Sequence, residues 1–379
     1  MKIPIFKLEF EKEFISKYLR GCEEILTSNR PLGEDKYVSE FEQKFAKLVG
    51  AKYALATTNG TSALELALRC VDVKGKTVII PTNTFSATSI AVSNAGGSFS
   101  LLDIEENYFS FLPAVLEKEI LRLKKKKEKI GAVIVVHIGG IITTNIAGIV
   151  SVCRKHKVPL IEDAAHAHLS QYKNFKAGTI GVFGCFSFFP TKVMTTGEGG
   201  MITTNSKKMF SHAKSLKNFG RDSNNIDLII NEKGDNFKMN EVTALLGSLE
   251  CDRVFKRVEK RNMLTDMYVN LLRGSSYIPV LQDAGLSSQY KMILKTKIKQ
   301  EKLKPFCKAN GISLTGEVYK IPIHQQPIYK KLFKHQKFPN SDRISQYHIC
   351  PPLYPELTVA EVKYICKTLI RAEKAFLKK

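Results

Sequence analysis

Short apolar runs alternate with helical segments along the first 163 residues, and this alternation limits the possible folds more than any other feature. Four strand-and-helix pairs precede the apolar run that ends at Asp163. Parallel strands need long crossover connections, usually helices, and such strands are buried on both faces. The pattern therefore predicts an α/β fold in which helices flank a large, mostly parallel sheet.

The length of the chain predicts a second domain. A chain of 379 residues exceeds the usual size of one hydrophobic core. Helical spacing over residues 239–273 predicts one long helix that leads away from the sheet, and a strand is predicted at 290–298. We therefore predict a large domain over residues 1–250, which begins with a helix and a turn-rich loop. A smaller α+β domain is predicted over residues 251–379.

The segment from residue 160 to residue 204 contains a carboxylate and an amine, each near the end of a predicted strand. Asp163 lies at a strand end, where open α/β sheets bind ligands. Lys192 follows the next predicted strand and precedes TTGEGG, which is too flexible for a helix. Pyridoxal phosphate (PLP) chemistry needs an amine for an aldehyde and a carboxylate for a pyridine nitrogen. Taken alone, Lys192 could instead be a solvated surface side chain, and Asp163 could instead cap a helix.

A candidate phosphate site follows the strand predicted at residues 53–56. That strand ends at TTNGTS, and a strongly helical segment follows. A glycine-containing turn that opens a helix presents free N–H groups and the positive end of the helix dipole to an anion. Thr61 and Ser62 are therefore candidate phosphate contacts, with an ordinary N-cap as the alternative. The sequence has neither the Rossmann nor the P-loop glycine motif.

These segments resemble motifs of the DegT/DnrJ/EryC1/StrS sugar aminotransferases, which are fold-type-I PLP enzymes. The family's pyridine-binding and lysine segments are similar to IEDAAHAH and FSFFPTKVMTTGEGGM. Further family segments are matched in the expected order by VSEFEQKFAKLVGAKYALATTNGTSALELAL, VIIPTNTFSATSIAVSNAGGSFSLLDI, GDNFKMNEVTALLG and IPIHQQPIY. The resemblance therefore covers nearly the whole chain.

The resemblance implies a role for each residue around the cofactor. Lys192 would hold PLP covalently and move the substrate proton, while Asp163 would stabilise the protonated pyridine. Phe85 would lie flat against the pyridine ring, with a buried core position as its alternative. His166 would lie beside the ring oxygen, and Ser187 would contact the phosphate together with Thr61 and Ser62.

Residues outside this group are implied to bind the partner's cofactor or the sugar. Asn236 would reach the cofactor phosphate of the neighbouring subunit, which requires a homodimer with shared active sites. The sequence departs from the family at Asp235, where an aromatic residue is common, and at Lys238, which replaces an arginine. The candidate substrate contacts are Arg30, Tyr319 and His324. Plain surface exposure is the alternative for Arg30.

The function implied is that of an aminotransferase that converts the keto group of a nucleotide-linked deoxysugar to an amine. L-Glutamate would be the donor, and the product would serve surface polysaccharide or glycan synthesis. A related sugar dehydratase is disfavoured because such enzymes carry His where Lys192 stands. The nucleotide and the sugar are left open, as is the aminated carbon, although His rather than Gln at 166 leans towards C4.

The strong positive charge motivates a different hypothesis, a regulatory or nucleic-acid-binding protein on the same scaffold. Lysine and arginine number 58 against 36 acidic residues, which gives a net charge of +22. The clearest cluster, LKKKKEKI at residues 123–130, has no interleaved aromatics to stack bases. A solvated helix end is therefore favoured there, and the intact pair of Lys192 and Asp163 argues against a non-catalytic protein. We expect no nucleic-acid partner.

Composition excludes several other classes of protein. No apolar run is long enough to span a membrane and the N-terminus lacks a signal-peptide core, so we expect a cytoplasmic protein without a membrane partner. The eight cysteines are scattered without a CxxC pair, which is typical of reduced thiols. His166 and His168 form an H-x-H sequence that lacks a third ligand at helical spacing, so no metal site is expected.

Overall fold

The computed structural model describes residues 2–221, 230 and 232–377. The α-helices within these residues are α1 (Lys12–Thr27), α2 (Lys36–Val49), α3 (Gly60–Cys70), α4 (Ser86–Asn94), α5 (Pro113–Lys125), α6 (Ile146–His156), α7 (Lys207–Lys217), α8 (Glu241–Leu271), α9 (Gln300–Ala309), α10 (Pro339–Gln346) and α11 (Val359–Leu377). The strands are β1 (Tyr53–Thr57), β2 (Thr77–Pro81), β3 (Ser98–Leu102), β4 (Ile130–Val136), β5 (Leu160–Asp163), β6 (Gln171–Tyr172), β7 (Phe175–Lys176), β8 (Phe183–Ser187), β9 (Gly200–Thr204), β10 (Ile278–Val280), β11 (Ile293–Lys295) and β12 (His348–Ile349).

The main sheet has seven strands in the order β1-β9-β8-β5-β4-β2-β3. β9 pairs antiparallel with both of its neighbours, while the other strand pairs are parallel. The segment 188–199 between β8 and β9 contains no helix that could cross the sheet, so β9 runs back in the opposite direction. The predicted fold class, a mostly parallel sheet flanked by helices, is confirmed.

Apolar side chains pack on both faces of this sheet because successive strand residues point in opposite directions. In β2, Ile79 belongs to one core cluster, while Val78 and Ile80 belong to the other. On the first face, Phe41 of α2 lies 5.0 Å from Phe188, measured between ring centroids. On the second face, α3 and α4 pack against the strands and contribute residues such as Leu66 and Val92 to the cluster. The two layers of helices fix the strand ends at which a ligand can bind.

A smaller antiparallel sheet, in the order β10-β11-β12, packs with α9 and α11 around a third core cluster. Helix α8 contributes to both the first and the third clusters and runs without a break from Glu241 to Leu271. The division after residue 250 falls within this helix and stays a prediction. No helix among the described residues combines the length and apolar character needed to cross a bilayer.

The strand predicted at residues 290–298 is wrong in extent, since β11 covers only Ile293–Lys295. Arg261 of α8 is buried and donates to the carbonyl oxygens of Gln289 and Tyr290 at 3.3 and 3.4 Å. These carbonyl groups therefore bond to a side chain rather than to a neighbouring strand. Gln289 also has a φ of 47°, in the left-handed region. The segment before β11 is consequently a loop, and it reaches the site described next.

Candidate active site

A cavity of 610 Å³ lies at the carboxyl ends of the parallel strands. Residues that directly follow β1 and β2 line it, as do Val136 of β4, Asp163 of β5 and Ser187 of β8. Loops of the C-terminal part close its other side with Tyr290, Lys291 and residues 316–319. This is the edge at which open α/β sheets bind ligands.

The cavity brings together most of the residues predicted to form the site. Eight of them line it: Thr61, Ser62, Phe85, Asp163, His166, Ser187, Lys192 and Tyr319. Arg30, Asn236 and His324 do not line it. The roles of all eleven towards cofactor and substrate stay predictions, but the first eight occupy one connected space.

Asp163 presents a buried carboxylate at the end of β5. Its Oδ2 accepts a hydrogen bond from the Thr88 hydroxyl at 2.9 Å, and its Oδ1 accepts one from the backbone N–H of Ala165 at 3.2 Å. Burial raises the pKa of the Asp163 carboxyl, while these hydrogen bonds and the charge of Lys192 oppose the rise. Residues 164–170 form turns and no helix, so the helix-capping alternative is wrong.

Lys192 lies in the helix-free loop between β8 and β9. Its Nζ lies 4.8 Å from the centroid of the Tyr290 ring and has no acidic partner among the described residues. Tyr290 is held in turn by a 3.0 Å hydrogen bond between its hydroxyl and that of Thr191. The lysine therefore lines the cavity without an ion pair, as an amine that forms a covalent bond to an aldehyde requires.

The N-terminus of α3 opens onto the cavity where the sequence predicts an anion site, and its N-cap is Asn59 instead of Thr61 or Ser62. Asn59 is the N-cap, and its side chain accepts the Ser62 N–H at 2.9 Å. A Cβ atom on Gly60 would lie 2.7 Å from Cβ of Ser187, so only glycine lets the helix approach the end of β8 this closely. The first-turn N–H groups of Gly60 and Thr61 have no intrahelical acceptor. A phosphate fits this concave end of the helix.

His166 lies on the wall of the cavity as a neutral ring. Burial and the charge of Lys192 hold its pKa well below the usual value of 6.5. Its Nδ1 accepts the Gly139 N–H at 3.3 Å, so the ring proton resides on Nε2, which is 3.3 Å from the Tyr319 hydroxyl. Its ring also lies 4.3 Å from that of Tyr290, measured between centroids. A polar N–H is thereby fixed beside the space that a cofactor ring would fill.

His168 belongs to the core instead of to a metal site. Its ring is surrounded by Phe45, Phe186 and Phe188 at centroid distances of 6.3, 5.5 and 5.6 Å. Neither ring nitrogen has a hydrogen-bond partner among the described residues. Across those residues no cluster of three or more metal-ligating groups occurs. The H-x-H sequence is therefore explained by one cavity residue and one core residue.

The buried His168 predicts a measurable loss of stability in acid. Burial lowers its pKa to about 3, against 6.5 for the free side chain. As the pH falls below 6.5, the unfolded chain binds a proton that the folded chain does not, so stability decreases. From pH 7 to pH 5, the free energy of unfolding of the parent should decrease by about 2 kcal/mol more than that of His168→Leu. Urea unfolding at the two pH values would measure both decreases. His335 is exposed, so His335→Leu should show the same decrease as the parent. An equal decrease in the free energy of unfolding for all three proteins would contradict the prediction.

Two of the residues predicted to bind the substrate form their contacts outside the cavity. Arg30 is exposed and pairs with Asp35 at 2.7 and 2.6 Å. His324 lies between the hydroxyl of Thr82 at 2.5 Å and the carboxylate of Asp342 at 2.8 Å. Within one chain neither side chain faces the cavity.

Sequence reasoning missed Thr88, Thr191, Tyr290 and Lys291. The first two had a local signal, because Thr191 precedes Lys192 and Thr88 lies close to Phe85. Tyr290 and Lys291 had none, because their segment was predicted to be a strand. A buried carboxylate, an unpaired amine and a helix N-terminus around one cavity fit the pyridine nitrogen, aldehyde and phosphate of PLP.

Comparison with known proteins agrees with this geometry. Residues 13–370 match the DegT/DnrJ/EryC1/StrS aminotransferase family. The chain is 30% identical to the UDP-4-amino-4,6-dideoxy-N-acetyl-beta-L-altrosamine transaminase of Campylobacter jejuni, over 92% of this chain and 91% of that protein. It is 28% identical to the GDP-perosamine synthase of Escherichia coli O157:H7, over 97% of each. The structure of a Streptococcus pneumoniae protein named as a sugar aminotransferase, in its PLP form, superposes with a TM-score of 0.90 over the whole of both chains; at 23% identity this shows the fold alone.

Proposed function

Because the chain belongs to the DegT/DnrJ/EryC1/StrS aminotransferase family, whose members use PLP, we propose that it aminates a nucleotide-linked ketosugar. The amino donor would be L-glutamate, and the product would enter surface polysaccharide or glycan synthesis. The observation that carries the proposal is the pair of Lys192 and Asp163 in one cavity. The names of two relatives support a sugar-nucleotide substrate. Because one name includes UDP and the other GDP, the identity of the nucleotide stays open.

The presence of Lys192 in the cavity also separates this function from the alternatives. A sugar dehydratase of the same scaffold carries His in its place and would not need an amine there. A purely regulatory protein would have no use for an unpaired lysine beside a buried carboxylate. The cytoplasm is the compartment that we expect for the enzyme.

The chemistry rests on a division of work between the cofactor and the chain. When bound, PLP supplies an aldehyde that takes up the amino group and a ring that accepts electrons from the neighbouring carbon. The Lys192 amine would hold the cofactor between reactions and would carry the proton removed from, and returned to, the reacting carbon. Asp163 would carry the negative charge that balances a protonated ring nitrogen.

Other residues of the chain fix the position of this pair. Thr88 and Ala165 orient the Asp163 carboxylate, and Tyr290 lies against the Lys192 amine. These contacts restrict the Asp163 and Lys192 side chains, which lowers the entropic cost of reaching the reactive geometry. The N-terminus of α3 would hold the phosphate of the cofactor.

The direct test is turnover with defined substrates. The purified protein, loaded with PLP, should convert a member of a panel of UDP-, GDP- and dTDP-linked ketosugars in the presence of L-glutamate. Mass spectrometry would detect the aminated sugar nucleotide. Locating the new amine in the product would show whether C3 or C4 is aminated. No product with any member of the panel would contradict the proposed substrate class.

We further propose that the enzyme is a homodimer in which each site uses Asn236 of the other subunit. Asn236 is exposed and does not line the cavity of its own chain. The next residue, Phe237, accepts the backbone N–H of Thr58 at 3.0 Å, so the segment lies near the predicted phosphate site. An exposed amide beside this site is suited to reach a phosphate across a two-fold interface.

Mixed subunits would reveal a shared site. Lys192→Ala and Asn236→Ala homodimers should each be impaired, the first in chemistry and the second in PLP affinity. A heterodimer of the two should regain partial activity, because one of its sites combines the parent lysine with the parent asparagine. Subunit exchange would be verified with distinct affinity tags, and light scattering should show a dimer at about micromolar concentration.

Two results would contradict the arrangement. A monomer with full activity would exclude any contribution from a second subunit. Failure to regain activity despite verified exchange would place Asn236 in the site of its own subunit or outside every site.

A further inference from the structure

The cavity contains a second lysine that the chemistry described above does not use. Lys291 lines it, and its Nζ lies 4.9 Å from the centroid of the Tyr290 ring that also contacts Lys192. His166 is neutral. Among the lining residues that the structure describes, Lys192 and Lys291 are therefore the two with a cationic side chain.

Two acidic residues of the cavity wall are paired with cations other than Lys291. Glu317 forms an ion pair with Lys304, and Glu65 forms one with Arg69 at 2.5 Å. In the described part of the chain, Lys291 itself has no acidic group within the 4 Å of an ion pair. A cation that lines a cavity without an acidic partner remains available to an anionic ligand.

The position of the Lys291 amine is set by an aromatic ring and by bare backbone. Tyr290 is fixed through its hydroxyl, by Thr191, and through its carbonyl, by Arg261. On the other side, a Cβ atom on residue 316 would lie 2.8 Å from the Lys291 Nζ, so Gly316 leaves the space that the amine fills. The amine is thereby held at the cavity wall, against the same tyrosine ring as the Lys192 amine.

We infer that Lys291 binds the carboxylate of the amino-acid donor. The inference rests on the proposed aminotransferase function and assigns the subsite for the donor. An α-carboxylate is bonded to the carbon that carries the amino group, so it must lie beside Lys192. The diphosphate of a nucleotide sugar is separated from the keto group by several bonds of the sugar ring. A cation that shares the Tyr290 ring with Lys192 therefore matches the carboxylate better than the diphosphate.

The test separates the two half-reactions of the PLP-loaded enzyme. In the first, L-glutamate changes the absorption spectrum of the bound cofactor; in the second, the nucleotide ketosugar restores it. Lys291→Met removes the charge and keeps an unbranched side chain against Tyr290, whereas Lys291→Arg keeps the charge. Lys173→Met is the matched control, because Lys173 also lies over a tyrosine ring, at 5.2 Å from its centroid, but outside the cavity.

We expect Lys291→Met to raise the KM for glutamate by about 10- to 100-fold, the range that follows from loss of one charge-assisted hydrogen bond. The rate at saturating glutamate should fall much less, since a contact made equally in ground and transition states affects KM. A second readout is calorimetric binding of maleate, a dicarboxylate without an amine, which should weaken by a similar factor. Lys291→Arg should recover most of the affinity, and Lys173→Met should match the parent in both assays.

Each other outcome overturns the inference or locates the failure elsewhere. Unchanged glutamate and maleate affinities in Lys291→Met would exclude the carboxylate subsite. A defect confined to the ketosugar half-reaction would also overturn it and make Lys291 a contact of the sugar nucleotide. If the parent enzyme binds PLP but does not react with glutamate, the proposed donor fails, and maleate binding alone still decides whether Lys291 receives a carboxylate.

Discussion

Replacement of Lys192 by alanine is expected to abolish both half-reactions and to leave the fold intact. The Lys192 side chain has no ion pair or hydrogen bond among the described residues, so its removal leaves no buried partner unsatisfied. The variant should also keep PLP, because the predicted contacts of Asp163 and of the α3 N-terminus to the cofactor do not involve Lys192. The rate should fall by at least about 10³-fold, since proton transfer to and from the reacting carbon loses its base.

The covalent bond to Lys192 can be tested without any substrate. Borohydride treatment of the PLP-loaded parent should fix the cofactor on one peptide, and mass spectrometry of the digest should place the label on Lys192. Lys291→Ala is the control, because it removes the neighbouring amine of the same cavity and should leave the label in place. A label on Lys291 or on any other lysine, or no label at all, would reject the assignment.

The residues that sequence predicted well are those whose position depends on local chain direction. Asp163 and Ser187 each end a strand, and Lys192 follows one closely. A buried apolar run reveals such strand ends, and parallel strands bring them to one edge of the sheet. The predicted cluster therefore needed no knowledge of distant contacts. The same reasoning predicted the mostly parallel sheet. It did not predict the antiparallel direction of β9, which depends on the shape of the loop between β8 and β9.

The residues that sequence missed depend on contacts between distant segments. Tyr290 reaches Lys192 because Arg261, on a helix, takes the carbonyl groups that a strand would have used. In the sequence, an arginine within a long helix gives no sign that its partners are backbone carbonyls. Likewise, Asn59 rather than Thr61 or Ser62 caps α3, since several adjacent polar residues can each cap a helix and only the backbone angles select one.

Replacement of Asp163 by asparagine should decrease kcat by about 10²-fold or more, because an amide lacks the charge that balances a protonated pyridine. Local packing can accept the change. The amide oxygen can keep the bond from the Ala165 N–H, and the new NH₂ group can donate to the Thr88 hydroxyl. Thr88 can then donate to Thr84, whose hydroxyl lies 2.8 Å away. Steady-state kinetics at saturating substrates would measure the decrease.

Stability distinguishes this catalytic role from a structural one. Burial raises the pKa of the Asp163 carboxyl, so the charged form is destabilised in the protein without cofactor. Exchange for a neutral amide of the same shape should then leave the thermal stability of the cofactor-free protein equal or higher. A structural carboxylate would show the opposite pattern, with a lower melting temperature and kcat within about threefold of the parent. Only a decrease in kcat without a loss of stability is consistent with a charge that acts on the cofactor.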